Sequence, residues 1–286
     1  MNTKHIAFLA PAVLLTAVSM STQAGSSKDV ADSVIAEQRA NLATNTEGKG
    51  FGPQSPRDID TLAGNNKIIF SEAPSHTQMN LCNIHFHSGA EHKGGEFTTY
   101  QGNGDGKGHG TGFLYDGKLT KSQLKPYKGN VCGDKGHGLK VGETLEVHFV
   151  HSTAPVKPGP TLGSCLADSI GNPQLRVETQ VIVLANDSKA IDFTKMTQIA
   201  EVNGYHQAPN IPTNMGAPVQ YEGSTTGPKY NEGGSPFQVS WSVRPKVAVV
   251  DIASVDEWCD SNVFKEDHAH GVRNLVINPD LLSKID

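Results

Sequence analysis

Turn-forming residues set the first constraint on this chain. Thirty glycines and 16 prolines are spread through 286 residues. Neither residue suits a helix interior: glycine loses the most freedom on folding, and proline lacks an N–H. The spacing argues against a helical bundle and for short strands joined by turns. Runs rich in β-branched and aromatic residues predict strands at 67–70, 79–87, 96–101, 112–115, 144–151, 174–184, 237–243, 247–252 and 272–277. The fold class is therefore mainly β. Segments 153–173 and 203–236, rich in Gly, Pro, Asn and Thr, read as long ordered loops. No internal repeat is visible.

The net charge is −5, with no basic run or stripe. Nucleic acid and anionic membranes are thereby disfavoured as partners. Lys4 and His5, the apolar run Ile6 to Val18, and Thr22-Gln23-Ala24 together read as a secretory signal over residues 1–24. The apolar run is shorter than the ~20 residues of a membrane span. Cleavage would leave no span, and export to the periplasm is expected. Residues 25–50 form a polar N-terminal extension. Within it Val30, Val34, Ile35 and Leu42 are spaced for a short helix. Residues 51–286 form the main domain. Export permits disulfides. Cys82, Cys132, Cys165 and Cys259 allow three pairings, and Cys82–Cys132 with Cys165–Cys259 is the one favoured here.

The stretch 102–112 reads GNGDGKGHGTG. It lacks the acidic ligand set of a calcium loop and reads as a flexible surface loop. The chemistry lies instead in Asn83-Ile84-His85-Phe86-His87 and in Leu145-Glu146-Val147-His148-Phe149-Val150-His151. Alternate residues of a strand share a face. His85 and His87 project together beside Asn83, while Ile84 and Phe86 point to an apolar side. His148 shares a face with Glu146; His151 takes the other. Three imidazoles from two strands leave one position open, as in a catalytic zinc site. Asn83 and Glu146 are placed to hold the second ring nitrogens of His85 and His148.

These residues carry a resemblance. Gln54-Ser55-Pro56-Arg57-Asp58-Ile59 is similar to the QSPxxI element of α-class carbonic anhydrases, and Asn83 to His87 to their QFHFH strand. Gly89-Ala90-Glu91-His92 resembles GSEH, and Glu146 to His151 resembles ELHLVH. Tyr221-Glu222-Gly223-Ser224-Thr225-Thr226 resembles YxGSLTT, with Val239-Ser240-Trp241 as the following VxW. The elements stand in the family's order across residues 53–243. The run NIHFHSGAEHKGGEF with EVHFVHS is closer to the delta class and its bacterial relatives.

The resemblance implies a single catalytic domain on a large, mostly antiparallel central sheet, with short peripheral helices and long loops. It implies reversible hydration of carbon dioxide to bicarbonate and a proton. His85, His87 and His148 would bind Zn²⁺, whose bound water becomes a hydroxide nucleophile near neutral pH. Thr226 would orient the hydroxide through Glu91; a one-residue gap would select Thr225. Val150, Val181, Val239 and Trp241 would form the apolar wall around CO₂; a small shift would select Ile182 or Val183 in place of Val181. His92 and His151 match structural positions. No proton acceptor stands out among His76, His109, His137 and His206, and His268 and His270 read as exposed polar residues. Oligomeric state is left open. Two alternatives stand beside this reading. One is a cupin using His85, His87, Glu91 and a later histidine; the other is a non-catalytic binding protein built on the same fold.

Overall fold

The computed structural model describes residues 29–133, 138–225 and 231–285. The expected leader, His137 and Thr226 lie outside the described residues. Helix α1 (Asp32–Thr46) comes first, then strands β1 (Asn80–Ser88), β2 (Thr99–Asn103), β3 (Thr111–Leu114), β4 (Thr144–Ser152) and β5 (Leu175–Ala185). There follow α2 (Phe193–Met196), the hairpin β6 (Ala200–Val202) and β7 (Tyr205–Gln207), then β8 (Val219–Ser224), β9 (Gln238–Val243), β10 (Ala248–Asp251) and α3 (Ile252–Asp260). The main sheet runs β1-β4-β5-β9-β8, and β10 also pairs with β5. It is mixed: β1/β4, β4/β5 and β8/β9 are antiparallel, while β5/β9 and β5/β10 are parallel.

Burial explains why β4 and β5 sit at the centre. β4 is buried at all nine positions, and both faces are covered. Leu145, Val147 and Phe149 enter one core, with Ile84 and Phe86 of β1, Ile182 and Leu184 of β5, Phe193, and Trp258 of α3. Val150 enters a second core on the opposite face, with Val177, Val181, Val183, Val239 and Trp241. β1 carries a bulge between Leu81 and Asn83, where Cys82 has no partner in the ladder. The bulge puts Leu81 into the first core and Cys82 into the second, a local change of aim typical of such insertions.

Two expected strands do not form. Residues 67–70 are extended but have no ladder, and Ile69 is 93% exposed. Residues 272–277 distribute their N–H groups among different elements: Val272 donates to Gly108 O, Arg273 to Glu91 and Val276 to Pro56 O. Asn274 N–H goes to Asn231 Oδ1, and a segment bonded to four neighbours in turn forms no ladder. Strand β8 lies inside the stretch read as loop, and α3 starts where the last predicted central strand was to end. The loop at 102–110 is ordered. Val30 N–H donates to Gly104 O, Gln38 to Gly106 O, and Val272 N–H to Gly108 O.

The favoured disulfide pairing is corrected. The bonds are Cys82–Cys165 and Cys132–Cys259, with Cα separations of 5.0 and 5.4 Å. The sheet gives the reason. Cys82 and Cys165 belong to one core, and Cys132 belongs to the core on the other face with Cys259 packed against it. A Cys82–Cys132 bond would have to pass through the sheet.

Non-reducing peptide mapping should recover Cys82–Cys165 and Cys132–Cys259 peptides; a Cys82–Cys132 peptide would contradict the fold. Phe86 is fully buried, its ring edge-on to Phe193 at 6.1 Å. Phe86→Ala should therefore cost about 3–5 kcal/mol in urea unfolding.

Candidate metal centre

The antiparallel register sets His85 opposite His148 and His87 opposite Glu146. The three histidine rings converge, with centroid separations of 5.3 Å for His85–His87, 5.0 Å for His85–His148 and 4.7 Å for His87–His148. One nitrogen of each ring lies within 4.8 Å of one nitrogen of the others.

The outer nitrogens identify the tautomers. His85 Nδ1 is 2.7 Å from Asn83 Oδ1, and the Asn83 amide nitrogen donates to Gly159 O at 3.1 Å. Hence His85 carries its hydrogen on Nδ1. His87 Nδ1 donates to Gly271 O at 2.9 Å, and its buried Nε2 has no partner. His148 Nε2 donates to Glu146 Oε1 at 2.7 Å. Three acceptor nitrogens are left facing inward: Nε2 of His85, Nε2 of His87 and Nδ1 of His148. His148 Nδ1 and His85 Nε2 are 3.3 Å apart. With both hydrogens engaged elsewhere, two lone pairs face each other, an arrangement that a cation between them relieves. Burial, then the neighbouring His148 and His87, hold the His85 imidazole well below its ordinary range. Burial likewise lowers His87, against the opposing pull of Glu91. Neutral rings are the form that binds metal.

Glu146 anchors the surrounding network. It is fully buried, and it accepts from His148 Nε2, from His92 Nδ1 at 2.7 Å and from His92 N–H at 3.0 Å. Burial alone would raise its carboxyl, but His92 and His148 outweigh that and hold it well below the usual range. On the far side of His92, the Tyr221 hydroxyl donates to Nε2 at 2.6 Å. Burial raises the Tyr221 phenol well above its ordinary range, so it remains a donor.

The histidines line a cavity of about 340 Å³ whose apolar wall includes Pro56, Val150, Leu162, Val177 and Trp241. Of the wall residues named from the resemblance, Val150 and Trp241 reach the cavity. Val181 and Val239 are buried in the core behind it, and Val177 takes the place expected of Val181. Glu91 lines the cavity and accepts Arg273 N–H at 2.9 Å. It is in neither group of histidines and carboxylates that converge closely enough to hold a metal among the described residues, His85 with His87 and His148 and His92 with Glu146 and His148, which leaves the cupin ligand set without its carboxylate. Thr225 lines the cavity.

Several cavity residues escaped the sequence reading. Gly271 and Arg273 hold His87 and Glu91 from a segment with no motif. His270 and Glu266, joined at 2.7 Å, stand at the cavity wall rather than on a remote surface. The pairing of His270 with β1, through its N–H to Phe86 O and its carbonyl to Ser88 N–H, has no sequence signature. His76 lies beside His151 and Glu178, away from the cavity.

His151 is buried, and desolvation lowers its pKa from 6.5 to about 3. Between these values the unfolded chain binds a proton that the folded protein does not. Urea-unfolding stability should fall as pH drops from about 6.5 towards 3, and His151→Gln should flatten this slope. An unchanged slope would contradict the assigned burial.

No curated protein matches the chain. Among solved structures it is similar to a Photobacterium profundum alpha-carbonic anhydrase, at 15% identity over 80% of this chain and 88% of that one, TM-score 0.27. It is also similar to a hyperthermostable carbonic anhydrase identified from an active hydrothermal vent chimney, at 16% identity over 83% and 88%, TM-score 0.29. A third is the alpha-carbonic anhydrase of Thermovibrio ammonificans in complex with the inhibitor sulfanilamide, at 15% identity over 78% and 82%, TM-score 0.26. Likenesses this distant add nothing to the geometry above. The family model described as delta carbonic anhydrase matches residues 76–254, from just before β1 into α3. That span is most of the chain and carries all three convergent histidines, so the protein belongs to the delta carbonic anhydrase family.

Proposed function

We propose that the protein is a zinc enzyme that catalyses the reversible hydration of carbon dioxide to bicarbonate and a proton. The observation that carries this reading is the convergence of His85 Nε2, His87 Nε2 and His148 Nδ1 in one cavity, each ring's other nitrogen being engaged. Three neutral imidazoles suit Zn²⁺ and leave a fourth position for water. Zinc held there would supply the Lewis acidity that makes water a nucleophile near neutral pH.

The protein's own groups do the rest. Asn83, the Gly271 carbonyl and Glu146 lock the three tautomers, so no ring must reorient to offer its lone pair. Glu91, fixed by Arg273 N–H, would accept a hydrogen bond from the hydroxyl of Thr226, or of Thr225 if the motif is shifted by one residue, and that threonine would orient the attacking oxygen. Val150, Val177 and Trp241 offer CO₂ an apolar wall without a hydrogen-bond partner, which favours weak binding and easy release of a charged product. Val181 and Val239 support this wall from behind. Two disulfides suit an oxidising compartment, and we place the protein in the periplasm after removal of residues 1–24.

Metal analysis should find about one zinc per chain, as one three-histidine site requires. Stopped-flow CO₂ hydration should be inhibited by a sulfonamide and should fall to background in His85→Ala and His148→Ala. Glu146→Gln should weaken zinc retention by roughly 10–100-fold. Full activity in metal-free His148→Ala protein would overturn the proposal, and bound iron or manganese in place of zinc would overturn the choice of metal.

A further inference from the structure

The segment between β4 and β5, residues 153–174, forms one wall of the cavity through Thr161 and Leu162. Its conformation there is not relaxed. Thr161 has φ +59°, a left-handed value that β-branched residues avoid. Its hydroxyl accepts from Gly163 N–H at the start of a single 3₁₀ turn, Leu162–Cys165. Thr161 is itself exposed and Leu162 only partly buried, so packing alone holds this turn weakly. The remaining anchors converge on one short stretch of β1. Cys165 is bonded to Cys82, Gly159 N–H donates to Cys82 O at 3.0 Å, and Asn83 Nδ2 donates to Gly159 O at 3.1 Å. Ser152 Oγ adds a bond to Cys165 O at 2.7 Å.

Cys82 is the bulge residue of β1. Its neighbour Asn83 uses one end of its amide on the wall, at Gly159, and the other on His85 Nδ1. The wall and the orientation of His85 therefore share a single side chain, and the disulfide fixes the backbone from which that side chain projects. We infer that the Cys82–Cys165 disulfide is a positioning device for the metal centre: it holds the Thr161–Leu162 wall in place and, through Asn83, holds His85 in the orientation and tautomer that present Nε2. The second disulfide, Cys132–Cys259, lies in the core on the other face of the sheet and has no such link among the described residues. The inference rests on His85 being a zinc ligand.

The test compares the metal-loaded parent with Cys82→Ser/Cys165→Ser and with Cys132→Ser/Cys259→Ser, at a temperature where circular dichroism shows all three folded. Two quantities are read: the rate of zinc loss to a chelator, and kcat/KM for CO₂ hydration. The Cys82/Cys165 double variant should lose zinc about tenfold faster and show about tenfold lower kcat/KM, the size expected when a group orienting a ligand is released. The Cys132/Cys259 double variant should match the parent in both. Its bond closes 127 residues rather than 83, so on chain entropy it should lose at least as much thermal stability.

If the Cys82/Cys165 variant does not fold, the same readings are taken on folded Cys132→Ser/Cys259→Ser protein before and after treatment with a water-soluble phosphine. There Cys82–Cys165 is the only disulfide. It accepts two electrons to give two thiols, while the phosphine takes oxygen from water to become its oxide. The same tenfold changes are expected. Equal behaviour of the two double variants, or no change on reduction, overturns the inference while leaving the zinc reading intact. A parent that holds no zinc and hydrates no CO₂ removes the zinc reading itself, and the inference with it.

Discussion

The structure depends on the antiparallel register of β1 against β4. That register places His85 across from His148 and His87 across from Glu146. Side chains alternate faces, so a slip of β1 by one residue would carry His85 and His87 to the side opposite His148. The apolar teeth on the reverse face prevent it. Ile84 and Phe86 interlock there with Val147 and Phe149, all fully buried. Such a slip of β1 would turn two large side chains, Ile84 and Phe86, out of this core. One core therefore holds the metal centre in alignment from behind, and neither face of this strand pair can be understood alone.

The cavity side is both buried and polar, which is costly unless every group finds a partner. The partners form a continuous chain: Arg57 lies over the Tyr221 ring at 5.3 Å, the Tyr221 hydroxyl meets His92, His92 meets Glu146, and Glu146 meets His148. Arg273 is handled differently, its guanidinium donating to the carbonyls of Ser55 and Gly233. His87 Nε2 stands outside this economy as a buried acceptor with no donor. Facing the inward nitrogens of His85 and His148, this unpaired acceptor fits a group whose partner is a ligand rather than the protein.

Much of the fold was legible because strand period is a local property. Alternation in 144–151 and 174–184 placed the central strands to within a residue, since apolar residues at alternate positions had to share the core face. The expected strand at 272–277 has similar composition, but its hydrogen bonds go to four different segments. Pairing is a property of neighbours, and neighbours are not written in the segment itself. The face shared by Asn83, His85 and His87 was legible for the same reason as the strands. Val177 was not picked out from the sequence: it shares a core with Val181, and only the tertiary structure shows that Val177 is the one lining the cavity.

The sequence by itself determined the alternating strands, the two histidine-bearing stretches and the polar residues two positions from His85 and His148. These follow from local periodicity and side-chain chemistry. Tertiary structure decided how distant segments meet: the carbonyl of Gly271 on His87, Arg273 on Glu91, His270 at the cavity, and the partner of each cysteine. The cysteines show the reason most plainly. Any of their pairings was compatible with the chain, and the side of the sheet on which each cysteine came to lie selected one.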